Sequence, residues 1–267
     1  MSHSTFPFWR VVPAQTGGAG DYDLHVMPAA TVGPEGAGHI MGGVALGAMI
    51  DAMEIESELP LLFAQVQFLS PTQHAETLTI HCEQCGGGQS IAQYAASASV
   101  NGRPTHRASA GLGARGQSQP VQFVPMPDVP PPGESKDLNR DWATPGSLTD
   151  QLDMRVAVED NDRGMQAMWT RSHAGFAVDA GWLAIISDFF LGSHPKSHGP
   201  GSSSLDAMFR FIEAAEPGWV LSVTQFANFG RGVVHGSARH FSESGKLLAI
   251  SSQTGVLPRI AFEDIAS

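Results

Sequence analysis

The sequence predicts an α+β fold in which one unit, a helix followed by antiparallel strands, occurs twice. When the chain is shifted against itself by about 143 positions, its features match in order and without a gap from about residue 63 to residue 113. Each copy begins with an apolar, helix-like segment, at residues 42–53 and again at 181–191. A proline-rich stretch at residues 117–145 separates the copies, and its composition is typical of an extended linker.

These boundaries predict an N-terminal unit at residues 1–116 and a C-terminal unit at residues 146–267. The first unit begins with a buried helix, because apolar side chains of residues 42–53 recur at mixed i+3 and i+4 spacings. Asn101-Gly102 is a strong signal for a two-residue hairpin turn. The predicted strands of this unit lie at residues 61–69, 77–82, 90–100 and 104–112, after a short strand near 22–28.

The second unit repeats this order with a helix predicted at residues 178–191. Its strands are predicted at residues 152–158, 166–171, 204–212, 219–227, 232–241 and 247–257. A helix followed by antiparallel strands favours a sheet wrapped around one long helix in each half. The sheets of the two halves can then pair edge to edge.

The composition excludes several classes of protein. The chain has 267 residues, of which 42% are hydrophobic, and a formal net charge of −11 from 15 basic and 26 acidic residues. Nucleic acid and anionic membranes are therefore unfavourable partners. No apolar run approaches the roughly 18 residues of a spanning helix, the N-terminus lacks a signal pattern, and two cysteines cannot form a disulfide framework. We expect a cytoplasmic enzyme without a membrane partner.

Several short motifs fail in context. The Gly111–Gly116 segment matches a dinucleotide-binding pattern but leads into the linker and not into a helix. Cys82 and Cys85 form a single C-x-x-C without a second pair, so core thiols are favoured over metal or redox chemistry. There is no G-x-S-x-G, and no aspartate is followed five positions later by histidine, a pair used by some hydratases. The histidines, which include His194, His198, His235 and His240, are interpreted as solvated or packed. We expect no metal and no cofactor.

The two copies differ in their polar residues. Aligning the two helices places Asp51 on Asp188, whereas the strand positions of Ser204 and Gln253 carry Leu61 and Ala110 in the first copy. Duplicated folds often keep one working site. A carboxylate flanked by Ile185, Ile186, Phe189 and Phe190 would be partly desolvated and therefore more basic. The alternative is that Asp188 is a surface or capping residue and Gln253 an ordinary polar strand residue.

Four segments in order resemble the acyl-CoA thioesterase II family. In the second half they are ISDFFL at residues 186–191, SSLDAMF at 203–209, GRG at 230–232 and GKLLAISSQTGVLPR at 245–259, after HIMGGVALGAMIDAM at 39–53 in the first half. The resemblance implies a double hot-dog fold, with two antiparallel sheets each wrapped around a central helix. It further implies that Asp188, Ser204 and Gln253 hold a water. Ala207 stands where the family usually has histidine.

The implied reaction is hydrolysis of acyl-CoA to a free acid and coenzyme A. A backbone N–H of Gly42 or Gly43 at a helix N-terminus is the candidate oxyanion donor, although such a glycine pair often serves close packing alone. Arg231, Arg239 and Lys246 near the last strands, and Arg103 and Arg107 in the first half, are candidate phosphate contacts, each with a solvated side chain as the alternative. The alternative functions are a non-catalytic acyl-CoA-binding protein and an enoyl-CoA hydratase or lyase. Exposed hot-dog sheets further predict a homodimer or larger homo-oligomer.

Overall fold

The computed structural model describes residues 7–34, 38–116, 119–138 and 143–259. Its two α-helices are α1 (Gly42–Ser57) and α2 (Ala180–Ser187). The strands are β1 (Val12–Pro13), β2 (Asp21–His25), β3 (Thr31–Val32), β4 (His39–Ile40), β5 (Leu61–Phe68), β6 (Thr77–Gly87), β7 (Ile91–Val100), β8 (Arg103–Gly113), β9 (Lys136–Asp137), β10 (Leu152–Asp160), β11 (Met165–Ser172), β12 (Ser203–Phe211), β13 (Val220–Gly230), β14 (Val233–Ser242) and β15 (Leu247–Val256).

All strands except β3 and β4 belong to one antiparallel sheet of 13 strands, in the order β1-β2-β6-β7-β8-β5-β12-β15-β14-β13-β11-β10-β9. The expectation of two sheets, each wrapped around its own helix, is corrected in one respect: the strands of both halves form one continuous sheet. The junction is the pairing of β5 with β12, where Ala64 lies opposite Phe209 and Val66 opposite Ala207. The sheets of the halves do pair edge to edge, and neither half keeps a free edge at this junction, where an unpaired strand would invite aggregation.

The two helices pack against each other and against the sheet, α1 on strands of the first half and α2 on strands of the second half. Glycines permit this close approach: a Cβ on Gly47 would lie 3.1 Å from the Gly181 carbonyl oxygen, and one on Gly43 would lie 2.8 Å from that of Ala184. Every residue of α1 from Gly43 to Met53 is buried, as the apolar sequence predicted. Buried on all sides, α1 has little amphipathic character and forms the centre of the core.

The second helix is shorter than predicted. Asp179 caps its N-terminus by accepting a hydrogen bond of 2.8 Å from the Trp182 amide. The α-helix ends at Ser187, and a 3-10 helix follows at Asp188–Ser193. Asp188 has φ −84° and ψ 1°, and its amide bonds back to the Ile185 carbonyl, three residues earlier. The helical pattern in the sequence therefore continues past the end of the α-helix, because a 3-10 turn has nearly the same periodicity.

The register of the strands preserves the repeat. The β5–β8 pairing is irregular between Leu61 and Phe63, and the β12–β15 pairing is irregular between Ser204 and Asp206, which is the same place after a shift of about 143 positions. The β6–β7 and β13–β14 pairs also share an irregularity, after Gln84 and after Phe226 respectively. Because bulges are specific backbone features, their repetition supports the alignment of Ser204 with Leu61 and of Gln253 with Ala110.

The described part of the proline-rich stretch lies against the second half of the sheet. The Trp169 indole N–H donates to the Pro130 carbonyl at 2.9 Å, and the Leu247 amide donates to the Gln122 side chain at 2.8 Å. Val124, Met126 and Val129 pack on the cluster formed by Ala167, Trp169, Leu221 and Phe241. The exact limits of the two units and of the linker remain predictions. In the part of the chain that the structure describes, no helix is long and apolar enough to span a membrane.

Candidate functional site

A single carboxylate, that of Asp188, accepts hydrogen bonds from both halves of the chain. Its Oδ1 accepts from Gln253 Nε2 at 2.6 Å and from Ser204 Oγ at 3.2 Å. Its Oδ2 accepts from the Gly43 amide in the first turn of α1, at 2.7 Å. The three residues that the resemblance selected therefore meet in space, and the first half supplies the third hydrogen bond to the carboxylate.

Neighbouring strands position the two partners of Asp188 from the second half. Ser204 is near the start of β12, opposite Gly255 of β15, and Gln253 of β15 lies opposite Ala207 of β12. Gln253 Nε2 also donates to Ser204 Oγ at 2.6 Å, so the three side chains form a closed triangle. The Gln253 side-chain oxygen has no hydrogen-bond partner among the described residues, and an amide oxygen can accept from water.

Burial makes the Asp188 carboxylate a stronger base. The residue keeps some exposed surface, but its carboxylate is enclosed by protein atoms, and this desolvation raises the pKa of Asp188. The hydrogen bonds from Gln253, Gly43 and Ser204 stabilise the charged form and oppose the rise only in part. All three donors are neutral in charge, and no cation of the described residues lowers the pKa of this carboxyl group.

Two of the residues that follow Asp188, Phe190 and Leu191, face the sheet. Phe190 is 3% exposed and covers Gly236, where an added Cβ would lie 2.6 Å from its ring. Leu191 covers Gly255 in the same way. Phe189 is half-buried and packs on the main core. Since Gly236 and Gly255 flank Gln253 and Ser204 in the register, these side chains exclude water from the inner side of the site.

The two candidate oxyanion donors differ in availability. The Gly43 N–H is engaged by Asp188, so it holds the carboxylate and is not free to bind an oxyanion. The Gly42 N–H, one residue earlier, has no partner within the described residues. A Cβ on Gly42 would lie 2.7 Å from the Phe68 ring and 2.9 Å from Asp188 Oδ2, so only glycine leaves this approach open.

The basic residues near the last strands do not form one cluster. Arg231 has φ 56° in the turn between β13 and β14, next to Gly232, whose carbonyl accepts from the Leu257 amide at 2.9 Å. This turn is at the end of the sheet where Ser203 pairs with Val256. Arg239 lies six residues beyond the start of β14, roughly 20 Å along the strand. Lys246 is at that far end and pairs with Glu213 at 2.8 Å.

The remaining first-half candidates are also accounted for. Arg103 binds Ser70 and the Pro71 carbonyl, and Arg107 is exposed. Cys82 is buried and Cys85 exposed on β6, and both are free thiols.

The described ranges contain no group of three or more side chains able to hold a metal. His240 is fully buried between Ser222 and Ser251, and burial lowers its pKa to about 4, so it is a packed histidine.

The sequence analysis missed a second carboxylate cluster. Asp51, the residue aligned with Asp188, is 4% exposed and forms an ion pair with Arg10. Arg10 also bonds Asp179 at 2.9 Å, and the Val11 amide donates to Asp51 at 2.9 Å. The alignment had already identified Asp51. The sequence of the N-terminal segment, which carries Arg10 and Val11, has no periodic pattern that would predict its position beside α1.

A large antiparallel sheet with two helices packed on it is the architecture of hot-dog proteins. The chain shares 26% identity and a TM-score of 0.86 with a protein from Novosphingobium aromaticivorans that is provisionally assigned as a thioesterase, over 94% of this chain and 99% of that one. It aligns with a hot-dog protein from Alicyclobacillus acidocaldarius at 18% identity and a TM-score of 0.81, over 98% and 100% of the two chains. It aligns with the acyl-CoA thioesterase II TesB2 of Mycobacterium marinum at 18% identity and a TM-score of 0.74, over 96% and 97%.

The sequence of the chain also matches two protein families. Residues 31–113 match the acyl-CoA thioesterase N-terminal domain, and residues 116–257 match the acyl-CoA thioesterase C-terminal domain. The chain therefore belongs to the acyl-CoA thioesterase family, and it is an enzyme of thioester hydrolysis, as the sequence predicted. A search of curated proteins found no match.

Proposed function

We propose that this enzyme hydrolyses acyl-CoA to a free carboxylic acid and coenzyme A, using a water activated by Asp188. The observation that carries the proposal is the convergence of Ser204, Gln253 and the Gly43 amide on one desolvated carboxylate. A general base must lie within hydrogen-bond reach of the water it deprotonates, and its pKa should be raised towards the working pH. Burial of Asp188 acts in this direction.

The reaction needs no covalent acyl-enzyme. Asp188 accepts a proton from the water as its oxygen attacks the thioester carbonyl, while Ser204 and Gln253 hold that water in place. The carbonyl oxygen becomes an oxyanion, for which the unpartnered Gly42 N–H is the proposed donor. The tetrahedral intermediate then collapses, the C–S bond breaks, and the proton on Asp188 passes to the departing thiolate. Asp188 is thereby restored to its charged form.

Coenzyme A carries phosphates, so an acidic chain must supply local cations for it. Arg231 is the proposed contact, because its turn is at the same end of the sheet as Ser204 while Arg239 and Lys246 lie at the other end. Arg231 has a left-handed backbone conformation and is exposed on this turn. We further propose a homodimer or larger homo-oligomer in the cytoplasm, as the hot-dog resemblance implies.

The test is a thiol-release assay with acyl-CoA substrates of several chain lengths. Asp188→Ala should abolish thiol release while circular dichroism and thermal unfolding show a folded chain. Full activity in this variant would end the assignment of Asp188 as base. Loss of enoyl-CoA absorbance without thiol release would instead identify a hydratase, and calorimetric binding of acyl-CoA without either reaction would identify a binding protein.

A further inference from the structure

The repeat relates the Asp188 site to a second place in the molecule, the region around Asp51. The Asp188 site lies between the end of α2 and the first turn of α1, where Gly43 donates to the carboxylate. Its counterpart lies between Asp51 of α1 and the first turn of α2, which begins with the cap residue Asp179. The antiparallel packing of the helices, with Gly47 against Gly181, makes the two places equivalent.

The chain's own segment Pro7–Val11 fills this second place. Arg10 forms hydrogen bonds with both Asp51 and Asp179, so it joins the two groups that would face a substrate there. The Val11 amide donates to Asp51 Oδ2 at 2.9 Å, which is the kind of contact that the Gly43 amide makes to Asp188. The carboxylate therefore receives an arginine and a backbone amide from one short segment.

Trp9 occupies the apolar part of the same place. Its side chain is 1% exposed and stacks on Trp182 of α2 at 5.8 Å between ring centroids, with Phe176 edge-on at 5.1 Å. The indole N–H is buried and has no hydrogen-bond partner in the described part of the chain. A buried indole normally finds such a partner, so the surroundings of Trp9 suit an apolar group better than this polar one.

The strand side of this place cannot support the hydrolysis proposed for Asp188. The positions of Ser204 and Gln253 carry Leu61 and Ala110, which are 2% and 0% exposed. Neither side chain can hold a water. On this strand side, a ligand could bind only through apolar contacts and backbone groups.

We propose that the place around Asp51 is a second acyl-thioester binding site without catalytic strand residues, closed from within by the segment Pro7–Val11. Trp9 lies where an acyl chain would lie, and Arg10 neutralises the carboxylate that corresponds to the base. The assignment uses the proposed substrate position at Asp188 as its template. When the Trp9 side chain is removed, the site binds a ligand that consists of an apolar chain joined to a neutral group containing amides.

The probe is S-octyl pantetheine, a neutral thioether that resembles an acyl thioester and cannot be hydrolysed. Calorimetric titration of the full-length wild-type chain should give one ligand per chain, bound at the Asp188 site. Trp9→Ala should give two, with thiol release from acyl-CoA kept within about threefold of wild type. Trp169→Ala removes a buried tryptophan from a different cluster and should still give one.

The variant must bind one ligand more than wild type. An unchanged stoichiometry in a folded Trp9→Ala chain overturns the proposal, as does an equal gain in Trp169→Ala, because any large cavity would then suffice. If Trp9→Ala does not fold, Trp9→Leu is titrated under the same criteria. A wild-type chain that binds no probe argues against the proposed substrate at Asp188, and the difference between variant and wild type still decides the second site.

Discussion

Asp51 and Asp188 occupy corresponding positions in the two halves of the chain and have opposite surroundings. Asp51 forms an ion pair with Arg10, and this contact has a structural role. Among the residues that the structure describes, Asp188 receives only neutral donors, and burial raises its pKa. The comparison indicates how partners set the environment of a buried aspartate, because a cation compensates the desolvated charge whereas neutral dipoles compensate it only in part.

The strands beside these carboxylates differ in the same way. The registers of β5–β8 and β12–β15 are the same, including the bulge, so the backbone is equivalent on both sides. Only the side chains differ, with leucine and alanine in the first half and serine and glutamine in the second. One backbone arrangement thus carries apolar side chains in the first half and polar side chains in the second half.

The largest expected effect is on catalysis. Asp188→Asn should lower kcat/KM for acyl-CoA by about 10²- to 10⁴-fold, the range for loss of a general base. Asp51→Asn should change it by less than about threefold, since Asp51 contacts Arg10 and Val11 and no reacting group is proposed there. Thiol release under second-order conditions measures both. Equal losses in the two variants would remove the distinction between the halves.

A smaller loss is expected from the strand residues. Gln253→Ala should lower kcat by about 10²-fold, because a misplaced water reacts slowly even when the base is intact. The matched control is Thr254→Val, one residue further along β15, whose hydroxyl bonds His235 and does not contact Asp188. Steady-state kinetics of both variants gives the answer. A Gln253→Ala enzyme with normal kcat would show that Gln253 only fills space.

The stability effects should run in the opposite order. Asp51→Asn should lower the free energy of unfolding by about 2 kcal/mol, because it breaks a charged hydrogen bond with Arg10. The Arg10 side chain is more than a third exposed, so this loss should be smaller than that for a fully buried ion pair. Asp188→Asn should retain or gain stability at pH 7. Urea unfolding of the two variants side by side measures this. A large loss in Asp188→Asn would mark that carboxylate as structural.

The smallest effect concerns pH. The pKa of Asp188 is raised by burial, so wild type loses stability relative to Asp188→Asn as pH rises from the unfolded pKa, near 3.8, through the folded pKa. The stability difference between the two should vanish at more acidic pH. The acidic limb of kcat/KM should correspondingly lie above that of an ordinary carboxyl group. A limb at or below pH 3.8 would contradict the effect of burial.

Much of this could be predicted from the residues alone. The helix of the first half, ten long strands and the hairpin at Asn101-Gly102 follow from periodicity and turn chemistry, and the observed strands lie within a few residues of the expected ones. The convergence of Asp188, Ser204 and Gln253 was expected from the resemblance. Local patterns failed at the end of α2, because 3-10 and α-helical turns have similar spacings.

The sequence by itself determined the repeat, the strand order along the chain and the chemical asymmetry of the two halves, because these reside in local patterns and in the identity of aligned residues. Only the tertiary structure decided that both halves share one sheet, that the Gly43 amide supports the carboxylate of the other half, and that Arg10 pairs with Asp51. Those contacts join residues far apart in the chain, and their partners are selected by packing in three dimensions, which no local pattern records.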